Sequence, residues 1–502
     1  MFLFCLIFIP FVTGLLCWQS ERISTSVPRW LALIGLGIFF FFIFLLCNKL
    51  QNISSPIDGF SRWKLEFCCS WIKRFGINFH LVLDDLSLLM ILLSGFLGVF
   101  SVLCSWQEIK NHQGLFYLNI LFILGSSIGI FLAADLFLFF FFWEIILIPM
   151  YFLISFWGHK DIGVKFCIEA ATKFFIYSQM SGLVLLIAIF GLVVTYYNIH
   201  GVWTFSYVNL LHTVMTQKME FLLMLGFFLA FAIKMPVVPL HGWLPDVHVQ
   251  VPTAGSVDLV GILLKTSVYG LLRFNIVLFP HASKHFALFA MCLGIINIFY
   301  GSWMAFSQND IKKFIAYSNI SHMGFLLLAI YSGSQLAYQG IIIQILSYSI
   351  SSAGMFIICG QLYERLHTRD IRLMGGLWEK LNFIPALFLF FVVAMLGFPG
   401  TGNFVGEMSI LFGCFQIKPY ITIIATFGLV FISVCFLFLV QRICYGSSIH
   451  VECLSNATFR EQMILIVLMV SLLFLGIFPQ LIIEYSSLIM NNISSCFITR
   501  YY

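Results

Sequence analysis

The sequence predicts an all-α polytopic membrane protein of about 14 transmembrane helices. Of its 502 residues 61% are hydrophobic and only 9% are charged, and the mean hydropathy is +1.02. Soluble domains carry roughly a quarter charged residues, so most of this chain's surface must face lipid. Runs such as 31–47 and 121–134 are apolar almost throughout and do not alternate, which excludes the alternating segments of an outer-membrane barrel.

A span needs about 20 apolar residues. The first, near 2–18, is apolar from its second residue and carries neither a basic n-region nor a small-residue cleavage site, so it reads as a retained span. Further spans follow near 31–47, 86–105, 114–133, 136–156, 174–195, 221–240, 256–274, 286–306, 314–331, 339–361, 384–412, 420–440 and 463–487. The long 48–85 connection mixes Trp, Phe and Lys and reads as an interfacial segment.

An even count puts both termini on one side. With the termini outside, the inner loops collect Arg22, Arg29, Lys110, Lys160, Lys165, Lys173, Lys312, Lys313, Arg365, Arg369, Arg372, Lys380, Arg442 and Arg460. The outer loops hold Lys218, Arg273, Lys284, Lys418 and Arg500, plus Lys49, Arg62, Lys64, Lys73 and Arg74 in the long connection. That bias favours this orientation. The net charge of +5 is spread over the loops, and no nucleic-acid partner is expected.

The 14 Cys are scattered without ligand spacing and read as small buried hydrophobes. No HExxH, P-loop or GxSxG occurs and no soluble nucleotide domain is evident, so neither a metal site nor redox chemistry is expected in this chain. The 59 Phe suggest an AT-rich genome, as in an organelle or a reduced bacterium.

Two spans carry breaks. The seventh reads FAIKMPVVPLHGWLPD and the twelfth MLGFPGTGNFVGE. Pro236 and Pro239 lack an N–H and leave the carbonyls of Ala232 and Met235 without helical partners, while Pro399, Gly400 and Gly402 loosen the twelfth. Breaks five spans apart suggest two inverted five-helix repeats, spans four to eight and nine to thirteen. The expected organisation is 1–113 for the N-terminal spans and long loop, 114–274 and 286–443 for the repeats, and 444–502 for the C-terminal span and tail.

Four ionisable residues lie inside apolar runs: Glu144, Lys234, Lys265 and Glu407. Each ionised group at a helix centre costs about 2.5–3.5 kcal/mol, so the set costs on the order of 10 kcal/mol. Buried ion pairs that fix helix packing are one explanation. Proton transfer is the other, and the avoidance of Arg favours it, because a desolvated Lys can release its proton and Arg cannot. Asp258 lies seven residues before Lys265, about two turns back on the same face, where it either modulates the lysine or caps the helix. His241 and His248 follow the Pro break, and His322 lies in the tenth span. Each suits a proton shuttle, and an isolated histidine is also commonly a hydrogen-bonded core residue, the reading that leads for His322. The Phe139–Phe142 run reads as lipid-facing or packing.

FLFFFFWEIILIPMYFLISFWGHK, LGFFLAFAIKMPVVPLHGWLPDVHVQVPTAGSVDLVGILLKTSVYGLLRF, FIAYSNISHMGF and LYERLHTRDIRLMGGLW closely resemble the antiporter-like chain M family of proton-pumping NADH:quinone oxidoreductase, respiratory complex I, in its bacterial form. The likeness runs from about Gly114 to Phe478. It implies a carboxylate on the fifth span paired with a lysine on the broken seventh, a central lysine on the eighth and an ionisable group on the twelfth, which fall on Glu144, Lys234, Lys265 and Glu407. One departure stands out: the family usually has histidine where this chain has Tyr348, which can hydrogen-bond but does not protonate near pH 7.

The resemblance implies a proton-translocating subunit that binds no cofactor itself, with NADH, FMN, iron–sulfur clusters and quinone in partner subunits. The expected partners are the other membrane subunits of the complex, above all two further antiporter-like chains, and the lipid bilayer. The expected location is the bacterial plasma (inner) membrane, with the mitochondrial inner membrane as alternative. A secondary cation/proton antiporter subunit would share the Glu and Lys sites, although Glu407, where those proteins usually have lysine, argues against it. A structural spacer with a decayed relay is the third reading.

Overall fold

The computed structural model describes residues 2–51, 63–159, 163–381, 383–446 and 455–499. Among them, twelve helices are long and apolar enough to cross a membrane. The seventh and twelfth spans add two more, each split where the sequence places its break: Gln217–Lys234 with Trp243–Gln250, and Ile384–Met395 with Gly402–Ile417. The all-α membrane bundle is therefore as expected.

Composition sorts the spans. The eighth (Thr253–Leu278), tenth (Ile311–Ile330) and eleventh (Gln335–Leu366) are almost wholly buried, and they carry the Ser, Asn, His and Lys that lipid would reject. The first two spans, the sixth (Val164–His200), the thirteenth (Pro419–Cys444) and Phe459–Ile477 bury fewer than half of the residues in their most apolar stretch and turn Phe, Ile and Leu outward. A polar axis thus runs inside an apolar sleeve.

Contacts between loops gather alternate loops into two groups. On one side His159 N–H donates to the Gln250 carbonyl at 2.8 Å, Asp310 and Arg369 lie 3.9 Å apart, and Arg365 reaches the Ser455 carbonyl at 2.9 Å and Glu461 at 2.6 Å. On the other, Asn78 N–H donates to Asp135 at 3.1 Å and Tyr207 hydroxyl to the Arg273 carbonyl at 3.2 Å. Lys160, Arg62 and Arg500 lie outside the described residues.

Four features depart from the sequence reading. The described part of the 48–85 connection contains a β-hairpin that the sequence reading did not foresee: β1 (Leu65–Ile72) pairs antiparallel with β2 (Ile77–Leu83), and Gly76 takes the left-handed conformation that closes the turn. Of its cations, Lys64 pairs with Asp85. The fifth span is interrupted after Ile145, giving Leu136–Ile145 and Leu147–Trp157. The eighth contains two π turns, Leu259–Leu263 and Leu271–Asn275. The fourteenth ends at Ile477 because Pro479 cannot continue it, and an amphipathic helix, Gln480–Thr499, packs back on the eleventh span.

Candidate proton path

The helix Gln217–Lys234 stops at the lysine itself. Val237 N–H turns back to the Ala232 carbonyl at 2.9 Å, Trp243 indole N–H donates to the Ile233 carbonyl at 2.9 Å, and Asn297 accepts from Val238 N–H at 2.7 Å. The break is therefore closed by protein groups, and the Ala232 carbonyl keeps a partner. Lys234 is buried with its ammonium 3.6 Å from the centroid of the Trp143 ring.

Glu144 lies on the next position of the same helix as Trp143, about 100° round. Its carboxylate is turned against the sixth span, over Gly182 and beside Gln179. The two groups still interact electrostatically, yet neither Glu144 Oε1 nor Lys234 Nζ has a hydrogen-bond partner. The close pair that the resemblance implies is open in this structure.

Lys265 is fully buried on the helix that follows the first π turn, and it donates to the Val260 carbonyl at 2.7 Å. The Tyr348 ring centroid lies 5.1 Å from its ammonium. That ring in turn is 4.4 Å from the His322 ring, while its hydroxyl donates to Asn319 at 2.5 Å. His322 Nδ1 is 3.3 Å from Glu407 Oε1, and Gln344 donates to the same oxygen at 3.2 Å. Lys265, Tyr348, His322 and Glu407 thus form one continuous buried line across the eighth, eleventh, tenth and twelfth spans. Asn403 ties the twelfth break shut by donating to the Ala394 carbonyl at 2.8 Å and to Ser351 at 2.9 Å.

Asp258 is not on the face of Lys265. The five residues wound as a π turn between them advance less per residue than an α-helix, so a seven-residue spacing no longer completes two turns. Its carboxylate faces Ser101 and Cys104 of the third span, and it caps nothing, because the helix begins at Thr253 after Pro252. His241 sits in the seventh-span break with its ring 4.8 Å from Tyr300. Nearby, Lys173 and Asp246 pair at 2.5 Å and line an inner cavity of about 620 Å³ that also reaches Gln250, Asp310 and Lys313. His248 stacks on Phe356 at 4.7 Å.

Sequence reasoning missed several contributors. Trp143 was submerged in an aromatic run, Asn319 and Gln344 looked like ordinary polar residues of a span, and Gly182 was one glycine among 37. Buried Lys312 contacts His159 at 2.9 Å and the Val251 carbonyl at 3.0 Å. Burial, reinforced by the charges of Lys312 and Arg369, pushes His159 down to about 2, so its ring nitrogen accepts from the lysine. Among the described residues no group of three or more His, Cys, Asp or Glu could hold a metal.

Comparison with known proteins places the chain in a family. The NADH:quinone oxidoreductase/Mrp antiporter transmembrane family matches residues 133–433. NADH-quinone oxidoreductase subunit M of Escherichia coli (strain K12) is 58% identical over 496 residues, covering 98% of this chain and 97% of the relative. The subunit M of Buchnera aphidicola subsp. Schizaphis graminum (strain Sg) is 49% identical over 486 residues, covering 97% of each. Among solved structures, a chain of respiratory complex I from Thermus thermophilus with bound NADH superposes with a TM-score of 0.86 at 25% identity, over 99% of this chain and 100% of that one. A chain of the Mrp complex from Dietzia sp. DQ12-45-1b gives 0.83 at 20% identity, over 100% of this chain and 52% of that one, a likeness of fold.

Proposed function

This chain belongs to the family of NADH-quinone oxidoreductase subunit M, within the NADH:quinone oxidoreductase/Mrp antiporter transmembrane proteins, and on that premise we propose that protons cross it along Lys234, Lys265, His322 and Glu407. It is a proton-translocating, multi-pass subunit of the membrane arm of complex I in the bacterial inner membrane. NADH oxidation and quinone reduction, with FMN and the iron–sulfur clusters, belong to partner subunits, and the two other antiporter-like chains are its neighbours in the arm. This chain supplies the translocase half of the reaction.

The single observation that carries the reading is the buried line from Lys265 to Glu407, four side chains from four spans in a region where each ionisable group is costly. Lys234 and Lys265 can each hold or release a proton where Arg could not. When Glu144 approaches Lys234, the ammonium is stabilised and a proton is loaded from the inner cavity by way of Lys173, Asp246 and His241. When Glu144 withdraws to Gly182, the ammonium loses its counter-charge and its proton moves to Lys265, then through His322 to Glu407 and the outer side. The electron-transfer event is felt here as an electrostatic or conformational signal along the polar axis. Each half of the chain supplies one broken span with a buried ionisable group at the break, which supports two repeats at 114–274 and 286–443, flanked by 1–113 and 444–502. Asp258 stands aside from the line and acts on the third span.

Lys265→Ala in the assembled complex tests the reading through NADH-driven acidification of inverted membrane vesicles. We expect acidification to fall at least tenfold. An unchanged ratio of protons moved to NADH oxidised would overturn the path and leave the spacer reading. The cation/proton antiporter reading predicts ion exchange without NADH, and the carboxylate at Glu407 disfavours it.

A further inference from the structure

The two buried lysines of the path share a feature: among the described residues neither is in an ion pair, and each lies against an aromatic ring. Lys234 makes no hydrogen bond, and its ammonium sits over the indole of Trp143 at 3.6 Å. The single hydrogen bond of Lys265 in the structure goes to a carbonyl of its own helix, and its ammonium lies 5.1 Å from the Tyr348 ring. A third buried lysine provides the contrast: Lys312 lies against the His159 nitrogen and the Val251 carbonyl, both polar partners. Rings within about 6 Å attract a cation through their quadrupole, and the attraction grows when water is excluded.

We propose that Trp143 and Tyr348 are positioning residues of the proton path, each supplying a π face on which a buried lysine's ammonium rests while no carboxylate is in reach. This rests on the reading that Lys234 and Lys265 carry protons. Both rings are fully buried, so neither is there to meet lipid. The geometry also suits a relay better than a second carboxylate would. A π face stabilises the ammonium without accepting its proton, so the lysine is held in place yet remains the group that donates onward. Tyr348 is kept out of the proton's way, because its hydroxyl is committed to Asn319 at 2.5 Å. Trp143 directs Lys234 to one side of the fifth span while Glu144, its chain neighbour, occupies the other. The Lys234 ammonium therefore has two alternative partners on adjacent residues, one aromatic and one acidic.

The test uses the complete complex in native membranes, with Trp143→Phe, Trp143→Leu, Tyr348→Phe and Tyr348→Leu, and with Lys234→Ala and Lys265→Ala as references. Assembly is read on native gels, and turnover and acidification on inverted vesicles. We expect acidification per assembled complex to rank wild type above Phe above Leu at both positions, with Leu reduced at least about fivefold. Equal activity of the Phe and Leu variants would overturn the proposal. Normal pumping by the Lys variants would instead overturn the underlying path. If a Leu variant does not assemble, mono- and difluorotryptophan introduced site-specifically at 143 preserve shape while weakening the π face. A stepwise fall in acidification with fluorine number supports the proposal, and a flat response refutes it.

Discussion

Gly182→Ala tests whether the withdrawn seat of Glu144 is functional. Gly182 lies on the sixth span, and a methyl group placed there would overlap the carboxylate Oε1 and lie 2.8 Å from its Cδ. Ordinary contact begins near 3.4 Å, so the carboxyl must retreat by roughly 1 Å or more in a close-packed interior. Such overpacking costs about 1–3 kcal/mol. If that cost falls on the withdrawn position alone, the switch of Glu144 is biased toward Lys234 and the rate falls about tenfold for each 1.4 kcal/mol. Gly191→Ala on the same span is the control. Its methyl meets the end of the Leu223 side chain, at 2.7 Å, and activity within about twofold of wild type is expected because the displaced side chain is apolar and takes no part in the proton path. Turnover and acidification per assembled complex are measured side by side. The reasoning is refuted if Gly182→Ala performs as well as Gly191→Ala.

Other predictions follow from the same geometry. Asp258→Asn is expected to leave acidification within about twofold of wild type, since the π turn carries Asp258 away from Lys265; a loss as deep as that of Lys265→Ala would return Asp258 to the path. Arg365→Ala strands buried Glu461 and removes the donor to the Ser455 carbonyl, so thermal unfolding of the detergent-solubilised complex should show a loss of about 3 kcal/mol, whereas exposed Arg372→Ala should leave the transition in place. His159 is held neutral, its folded value lying below the ordinary 6.5. The stability it contributes is therefore whole above pH 6.5 and is lost as pH falls from there toward 2, at about 1.4 kcal/mol per unit. His159→Gln keeps an acceptor for Lys312, and its thermal stability should change less between pH 7.5 and 5.5 than that of wild type; identical slopes would contradict the assignment.

Much of the bundle was legible in the sequence because lipid leaves few alternatives. A run such as 31–47 can only be a span, and Pro236 and Pro399 mark breaks because neither supplies the N–H that a continuing helix needs. Glu144, Lys234, Lys265 and Glu407 stood out because charge in an apolar run is costly. The hairpin did not stand out: its strands, LEFCCSWI and INFHLVL, are built largely of aliphatic and aromatic residues that serve equally well in membrane helices. The π turns at 259–263 and 271–275 left no signature either, since LVGIL and LLRFN have the composition of ordinary helix. That omission misplaced Asp258 by a quarter to a third of a turn or more, and no spacing rule could have corrected it. Trp143 shows the remaining limit. Its role depends on which of two adjacent side chains Lys234 meets, which is decided by the packing of the fifth, sixth and seventh spans together.

The central claim is that Glu144 governs the protonation of Lys234 and through it a coupled proton path. NADH:quinone turnover and NADH-driven acidification of inverted vesicles from wild type and Glu144→Gln test it most directly. The account predicts that both activities fall together by at least tenfold while the complex stays assembled. Unchanged turnover and acidification would contradict it and make the buried charges structural.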